Sequence, residues 1–572
     1  MRRIAVLKTF FIILFVVLSA DIFYLQIIRG RKFLEQSENN RIRLVPEEAS
    51  RGVIFDRNGI VLVDNKLVFD IVAIPQEILS LKNKDEIFYK LAKFLKLDAE
   101  ILSETFKHNF QGSFFPVMLL SDVSKETAFL IEQERLQLPG ILVKTRAVRH
   151  YKYGPAAAHI LGYVGKIREE EYAALKNEGY SINDLKGRGG LEEVFDEQLR
   201  GKNGGMQIEV DSAGNIKGVF GYKCPQSGAN LYTNIDINLQ GFIYELVKDK
   251  KSAVGVMDAD SGEILALVST PAFDPNILID KKKYVEIAEI FKNKDAPLLN
   301  RSLKTYPPGS IFKIVTAYSG LAENIINTES TFECPGEYKI GNYAKHCWLK
   351  RGHGALTIKN AIATSCNVFF YKLGLKIGEQ NLYRYASLFG FGRKTQIELP
   401  EEEAGIVPDA KWKKANFNEK WFAGDTLNFA IGQGYLLISP LQALKMAALI
   451  ANIGEDVLPH IVAQNQPKAN NKRILSVFAV EVIREGMHRV VSAGYGTGHR
   501  AYVESIETCG KTGTAQVIRQ RSHAWFVGYT KLGGKRICFV VFLENGGHGG
   551  EQAAQLMRQI IVYLHGQKGN FT

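Results

Sequence analysis

The longest hydrophobic run of the chain lies close to its beginning. Residues 9–28 read TFFIILFVVLSADIFYLQII, and their single charge, Asp21, stands in the outer half of the run. Twenty mostly apolar residues are enough to cross a bilayer as a helix. The pattern therefore predicts one transmembrane anchor over 9–28.

Basic residues precede this run, namely Arg2, Arg3 and Lys8. By the positive-inside rule, residues 1–8 form a short cytoplasmic tail and the remaining chain lies on the extracytoplasmic side. A cleaved signal peptide is the main alternative, but Leu18 stands where a cleavage site would need a small residue. A buried core helix is the other alternative, disfavoured by the basic flank.

Two regions with different patterns of hydrophobic and polar residues follow the anchor, and they predict two further domains. Over 29–229 short alternating strands predominate, including a hairpin around an Asn-Gly turn within 51–63, and a helical insertion with three-to-four spacing lies at about 78–140. We interpret this stretch as a non-catalytic pedestal. Over 230–572, apolar strand patterns at the start and at the end enclose long helical patterns. This arrangement predicts a mixed α/β domain whose sheet is closed by the C-terminal strands.

Composition narrows the possibilities without identifying a function. The 572 residues are 46% hydrophobic and 23% charged, which is typical of folded domains and excludes a largely disordered chain. The formal net charge of +12 permits anionic partners but does not by itself indicate nucleic acid. Six cysteines are too few for a disulfide scaffold of this length.

A candidate nucleophile stands at the start of a predicted helix. In the segment YPPGSIFK, Ser310 follows a Pro-Pro-Gly turn and precedes an apolar run with helical spacing. Lys313, three residues later, lies on the same helix face, and a partly desolvated lysine can act as general base for a serine hydroxyl. The pair alone is a weak signal, because a capping serine beside a solvated lysine has the same spacing.

Two more motifs follow in a meaningful order. Ser365-Cys366-Asn367 comes after the Ser-x-x-Lys pair, and Lys511-Thr512-Gly513-Thr514 follows near the C-terminus. Ser-x-x-Lys, Ser-Asp-Asn and Lys-Thr-Gly together are the signature of penicillin-binding proteins and class A β-lactamases. The cysteine in place of aspartate is a variation at a position where family members differ.

On these motifs the chain resembles class B penicillin-binding proteins, and among them the elongation type. Further segments carry the resemblance, including RGVIFDRNG at 51–59, AHILGYVG at 158–165, TPAFDPN at 270–276, IGQG at 431–434 and HAWFVG at 523–528. The resemblance implies a penicillin-binding, serine-transpeptidase fold with an antiparallel sheet, helices on both faces and an all-helical lobe. The pedestal would correspond to a dimerisation-like domain, and the protein would be a single-pass protein of the bacterial inner membrane.

The resemblance also implies a reaction and its catalytic residues. Ser310 would attack the carbonyl of a D-Ala-D-Ala stem peptide and form an acyl-enzyme, which a neighbouring stem's amine resolves into a cross-link. Lys313 would take the serine proton and Ser365 would relay a proton to the leaving amine. Asn367 would position the donor amide, and Lys511 would hold this network electrostatically.

The remaining motif residues would bind the substrate. Thr512 and Thr514 would offer hydroxyls to the donor carboxylate, and Gly513 would leave space for the peptide against its strand. Backbone N–H groups of Ser310 and Thr514 would form the oxyanion hole. Penicillins would acylate Ser310, a DD-carboxypeptidase side activity is possible, and no cofactor is expected for catalysis.

A cluster of cysteines beside the second motif suggests a metal site. Cys334, Cys347, His353 and Cys366 fall within 33 residues, and three thiolates with one imidazole suit structural tetrahedral zinc. Relatives of the elongation type are suspected of metal ligands in this region. The alternatives are a Cys334–Cys347 disulfide or buried thiols with a surface His353, and His346 is a spare ligand candidate.

Several partners and alternative functions follow from the resemblance. The expected partners are peptidoglycan stem peptides, β-lactams, a SEDS-family glycosyltransferase, elongation scaffold proteins and the membrane, without nucleic acid. The alternatives are a septal class B transpeptidase and, with less support, a membrane-bound β-lactam sensor or β-lactamase. A β-lactamase rarely carries a pedestal of this size and would release benzylpenicillin rapidly.

Overall fold

The computed structural model describes residues 2–30, 42–81, 83–110, 116–180, 184–210, 216–341, 343–463 and 472–566. Parts of three predicted segments therefore lie outside the described residues. These parts are residue 1 of the tail, residues 31–41, 82, 111–115, 181–183 and 211–215 of the pedestal, and residues 342, 464–471 and 567–572 of the last domain.

The first helix agrees with the hydrophobic pattern. It runs over Arg2–Phe23 and continues into the wider turn Tyr24–Ile28. Within it, Leu7–Ile28 has a mean hydropathy of 2.4 and none of its side chains is buried. In the described part of the chain, this is the one helix that is long and apolar enough to cross a membrane.

The chain forms two compact units, and each unit is built from several stretches of sequence. The first consists of residues 1–52, 65–149 and 200–229, and the second of residues 53–64, 150–199 and 230–572. Both units bury their own hydrophobic core.

In its described residues, the first unit combines two small sheets with four α-helices besides the N-terminal helix Arg2–Phe23. Strands Ile42–Glu47, Gly204–Val210 and Ile216–Lys223 form one antiparallel sheet. In the other sheet, Val61–Ala73 pairs with Val117–Val123 and with Ile141–Tyr151. The helices lie in the region of the predicted insertion, and they are Pro75–Ser80, Lys84–Leu95, Ala99–His108 and Lys125–Gln133.

Amphipathic spacing explains how these helices pack. Phe88 and Leu91 from the second helix and Leu102 and Phe106 from the third are buried in one cluster. Their three-to-four spacing puts them on one face of each helix, as the pattern predicts.

The second unit is organised around a five-stranded antiparallel sheet, which we call the central sheet. Its strands stand in the order Ile264–Thr270, Ser252–Asp258, Lys535–Leu543, His523–Leu532 and Thr508–Ala515. The first two strands are buried at every residue, which explains their continuous apolar runs. The predicted pairing of early strands with C-terminal strands is confirmed, and it leaves Thr508–Ala515 at one edge.

The helix Pro440–Ala451 packs against three strands of this sheet, and all twelve of its residues are buried. Ser439 caps it by accepting a hydrogen bond from the Gln442 backbone N–H at 3.1 Å, with Pro440 in the first turn.

The other helices of the second unit lie around the sheet and in a helix-rich lobe. They are Ala158–Leu161, Glu169–Leu175, Gly190–Val194, Asp196–Arg200, Ile237–Val247, Pro275–Ile279, Tyr284–Lys292, Lys313–Ala322, Ile358–Ala363, Asn367–Ile377, Glu379–Leu388, Ala410–Phe417, Ala423–Ala430, Val477–Ser492 and Ala554–Gly566. Short strands complete the unit, namely Ile54–Phe55, Tyr163–Lys166, Leu185–Arg188, Leu231–Tyr232, Thr331–Cys334, Glu337–Ile340, Tyr343–His346 and Gly354–Thr357. The mixed α/β class is confirmed.

Candidate active site

Ser310 lies in a tight turn at the base of a buried helix. The 3-10 turn Gly309–Phe312 leads directly into Lys313–Ala322, so the predicted helix start at Ser310 is confirmed. Gly309 has a φ of +57° and donates its N–H to the Gly432 carbonyl at 2.9 Å. The glycine is needed here because its backbone is in the left-handed region.

This turn rests directly on the edge strand of the central sheet. A Cβ atom at Gly309 would come within 2.7 Å of the Thr514 carbonyl oxygen. One at Gly513 would lie 2.9 Å from both the Pro308 carbonyl oxygen and the Trp525 Cβ. The two glycines therefore allow the turn that holds Ser310 to contact the strand Thr508–Ala515. The expectation that Gly513 leaves space for a peptide along its strand stays a prediction.

Lys313 is fully buried and connects the turn to the second motif. Its Nζ donates to the Ser365 carbonyl at 2.7 Å, to Ser365 Oγ at 3.3 Å and to Asn367 Oδ1 at 2.7 Å. Three acceptors satisfy the three donors of an ammonium, which offsets part of the cost of burying it. The side chain of the first motif is thereby held against both polar residues of the second.

Lys511 contacts the same serine. It projects from the edge strand Thr508–Ala515, is fully buried, and donates to Ser365 Oγ at 2.9 Å and to the Thr512 carbonyl at 3.0 Å. Ser365 Oγ therefore accepts from two lysines. All three sequence motifs meet at this one hydroxyl oxygen.

The loop that carries Ser365 is conformationally strained. Ser365 has a φ of +52°, unusual for a residue with a side chain, and it lies between the helices Ile358–Ala363 and Asn367–Ile377. Such strain persists only where the surroundings determine the conformation, and it is often found at functional sites. Cys366 caps the second helix by accepting from the Phe369 N–H at 3.5 Å.

Burial sets the protonation of the two lysines. Desolvation lowers the pKa of Lys313 to about 8, opposed by the negative potential of Cys366 and Cys347. The pKa of Lys511 is held well below its usual range, first by burial and then by the positive charge of Lys313. Burial and the repulsion between two neighbouring ammonium groups thus both favour a neutral amine at this hydroxyl.

The hydroxyls of the third motif point to protein partners. Thr512 Oγ1 donates to Thr497 Oγ1 at 2.8 Å, and Thr514 Oγ1 accepts from the Gly549 N–H at 3.2 Å. Asn367 Nδ2 donates to the His346 carbonyl at 3.4 Å, close to the neighbouring hairpin Glu337–His346. Contacts of these groups with a donor carboxylate stay a prediction.

The four predicted metal ligands come together beside this loop. One ligand atom each from Cys334, Cys347, His353 and Cys366 lies within 4.8 Å of the others. All six cysteines are free thiols, so the alternative disulfide between Cys334 and Cys347 is absent. His346, the spare candidate, is exposed and stands 3.8 Å from a Glu337 carboxylate oxygen.

Two contributors to this site were not predicted from the sequence. Gly432, in a motif noted only for its resemblance, meets the Gly309 carbonyl so closely that its own Cβ would stand 2.1 Å from it. Thr497 links the second and third motifs. Its flanking glycines in Tyr-Gly-Thr-Gly were a signal of close approach, but not of what it approaches.

Two known protein families match this chain, one over its C-terminal part and one over its N-terminal part. The family described as penicillin binding protein transpeptidase domain matches residues 252–562. The family described as penicillin-binding protein dimerisation domain matches residues 46–233.

Similar proteins align with nearly the whole chain. Peptidoglycan D,D-transpeptidase MrdA of Acinetobacter baumannii is 32% identical over 96% of this chain and 86% of its own length. A structure of penicillin-binding protein PBP2 in complex with MreC from Helicobacter pylori is 29% identical with a TM-score of 0.81, covering 91% of this chain and 99% of that one. A third similar structure is a chain of a peptidoglycan synthase complex, described as showing the structural coordination of polymerization and crosslinking. It is 27% identical with a TM-score of 0.74, and the match covers 100% of this chain and 99% of that chain.

Proposed function

Because this chain belongs to the penicillin-binding protein transpeptidase family, we propose that the three-motif site cross-links peptidoglycan stem peptides through an acyl-enzyme on Ser310. The observation that carries the proposal is the convergence of Lys313 and Lys511 on Ser365 Oγ, at 3.3 and 2.9 Å, beside the Ser310 turn. This arrangement supplies a buried base next to a hydroxyl that can pass a proton onward.

In the first step, Ser310 Oγ bonds to the carbonyl carbon of the penultimate D-alanine, and its proton passes to the neutral amine of Lys313. The C–N bond to the terminal D-alanine then breaks, and Ser365 delivers the proton to the leaving nitrogen. In the second step, the acceptor amine attacks the ester and Ser310 regains its proton. These steps use groups of this chain alone and need no cofactor.

The negative charge on the carbonyl oxygen is stabilised by the backbone. The contact between Gly309 and the Thr514 carbonyl brings the start of the turn against the end of the strand. On this basis we assign the oxyanion hole to the N–H groups of Ser310 and Thr514. Each such donor is worth about 3 kcal/mol of transition-state stabilisation in comparable enzymes.

A labelled penicillin tests this function directly. We expect a single covalent adduct, since the β-lactam carbonyl takes the place of the D-Ala-D-Ala carbonyl and its ring C–N bond breaks. Tryptic cleavage after Lys304 and Lys313 isolates TYPPGSIFK, residues 305–313, and mass spectrometry should locate the adduct on this peptide. An adduct elsewhere, or none, would contradict the proposal, and rapid release as penicilloate would indicate a β-lactamase.

The elongation role is the second element of the proposal, and the nearly full-length likeness to MrdA supports it. We further assign an extracytoplasmic location to the catalytic unit, an anchor to residues 9–28, a pedestal to 29–229 and the transpeptidase domain to 230–572. The relative in complex with MreC and the relative in a synthase complex suggest a scaffold protein and a glycosyltransferase as partners. A tagged copy at the lateral wall, rather than the septum, would distinguish elongation from division.

A structural zinc ion is the third element, and the donor set fits it. Zn–S bonds of about 2.3 Å in a tetrahedron place ligand atoms about 3.8 Å apart. Cys347 Sγ lies 3.9 Å from Cys366 Sγ and 3.4 Å from His353 Nδ1, and Cys334 Sγ lies 3.7 Å from that nitrogen. Four protein ligands leave no open position, so zinc would hold the loop next to Ser365 rather than activate water.

Zinc analysis of the chelator-free protein checks this assignment. We expect one zinc per chain, a lower melting temperature after chelation, and loss of zinc in Cys347→Ser. The matched control is Cys538→Ser, since Cys538 is also buried but stands in the central sheet, outside the cluster. Protein without stoichiometric zinc would overturn the assignment and leave the transpeptidase proposal intact.

A further inference from the structure

Thr497 lies where the second motif meets the third. Its N–H donates to the Ala363 carbonyl at 3.1 Å, and its hydroxyl points to the same carbonyl at 3.4 Å. The hydroxyl also accepts from Thr512 Oγ1 at 2.8 Å. The result is a hydrogen-bonded relay from Thr512 through Thr497 to Ala363.

The two ends of this relay flank the contact between Lys511 and Ser365. Thr512 directly follows Lys511, and Ala363 stands two residues before Ser365. Ala363 is the last residue of the helix Ile358–Ala363, whose final carbonyls lack partners within the helix. Thr497 therefore caps the helix that leads into the strained Ser365 loop.

Thr497 is itself held firmly in place. The helix Val477–Ser492 that precedes it packs on Ile358–Ala363, where a Cβ at Gly486 would stand 2.9 Å from the Ile362 side chain. Arg489 from the same helix donates to Asn360 Oδ1 at 2.9 Å. Gly498, the next residue, donates its N–H to the Val490 carbonyl at 3.0 Å. A fixed hydroxyl can set the spacing of the groups on either side of it.

We propose that Thr497 is a positioning residue whose hydroxyl relay sets the distance between Lys511 Nζ and Ser365 Oγ. Without the hydroxyl, Thr512 loses its acceptor and the Ala363 carbonyl loses one of two donors. The loop and the edge strand are then free to separate, and the proton path through Ser365 is no longer aligned. Misplacement by about 1 Å costs up to about 100-fold in rate.

The test compares Thr497→Val, which keeps the shape but loses the hydroxyl, with Thr497→Ser, which keeps the hydroxyl. The matched control is Thr508→Val, in the strand Thr508–Ala515 that also carries Thr512. Thr508 Oγ1 donates to Thr530 Oγ1 at 3.5 Å, and Thr530 Oγ1 donates to the Glu507 carbonyl at 2.9 Å. This second relay has the same chemistry but no contact with Ser365.

Two readouts are measured on the full-length protein in detergent. The first is the rate of Ser310 acylation by a fluorescent penicillin, which rests on the proposed function. The second is amide hydrogen exchange of residues 361–368, which does not. We expect Thr497→Val to acylate about 10- to 100-fold more slowly and to exchange faster in this segment, and Thr497→Ser and Thr508→Val to stay within about threefold of the unmodified protein.

The outcomes separate the possible failures. Unchanged acylation and exchange in Thr497→Val would overturn the inference, as would equal losses in the valine and serine variants, which indicate packing rather than the hydroxyl. If the unmodified protein is not acylated, the proposed function fails. The inference about Thr497 is then judged by the hydrogen-exchange measurement only. If Thr497→Val does not fold, Thr512→Val breaks the relay from its other end and is judged by the same exchange criterion.

Discussion

Replacing Ser310 with alanine is expected to abolish both covalent labelling by penicillin and cross-linking of stem peptides. The hydroxyl is the atom that forms the acyl bond, and neither Lys313 nor Ser365 can take its place, since both are held in the network behind it. Loss of a nucleophile in such an arrangement lowers the rate by about 10⁴-fold or more. Intact-mass spectrometry after penicillin treatment and a cross-linking assay with lipid-linked substrate measure the effect.

A serine on the same helix is the control for this variant. Ser319 is fully buried and donates its Oγ–H to the Val315 carbonyl at 2.8 Å, within the helix Lys313–Ala322. Ser319→Ala should acylate at nearly the unmodified rate, with only a small change in melting temperature. Full labelling of Ser310→Ala would contradict the assignment of the nucleophile.

Replacing Lys313 with methionine is expected to slow acylation by about 10³-fold, since general base catalysis contributes about 10²- to 10⁴-fold. Methionine has nearly the same length and fills the buried space, but it has no amine to take the Ser310 proton. It also leaves the Ser365 carbonyl and Asn367 Oδ1 without their lysine donor. Stopped-flow acylation measures the rate, and thermal unfolding separates it from loss of fold.

The pH dependence of acylation distinguishes a base from a fixed charge. Burial lowers the pKa of Lys313 to about 8, so its neutral form decreases about tenfold per pH unit below that value. The rate of the unmodified protein should therefore rise with pH and level off near pH 8, and this rise should be lost in Lys313→Met. Lys313→Arg keeps the charge but no usable base. Normal activity in that variant would show that charge alone suffices.

Much of the fold could be predicted because hydrophobic periodicity is local information. The hydrophobic run at 9–28 and the strands at either end of the last domain could be predicted from composition and from the spacing of apolar residues. The helix start at Ser310 followed from turn chemistry, which depends on only a few neighbouring residues. The interleaved stretches of the two compact units were not foreseen, because unit boundaries depend on contacts between distant segments.

The candidate site was predicted in its members but not in its geometry. Motif order named Ser310, Lys313, Ser365 and Lys511, and the structure brings their motifs to one hydroxyl. Gly513 was interpreted only through the substrate, and the structure adds that the turn holding Ser310 packs against this glycine. The partner of Thr497 could not be inferred, since it is a hydroxyl 15 residues away on another element.

The amino-acid sequence by itself determined an N-terminal helix apolar enough to cross a membrane, the class of fold, the order of the motifs and the residue types of the candidate site. These properties depend on residue type and short spacing alone. Only the tertiary structure decided that two lysines share Ser365 Oγ, that burial brings the pKa of Lys313 to about 8, and that three thiols and an imidazole meet beside the same loop. The physical reason is that desolvation and hydrogen-bond distance arise from atoms far apart in the chain.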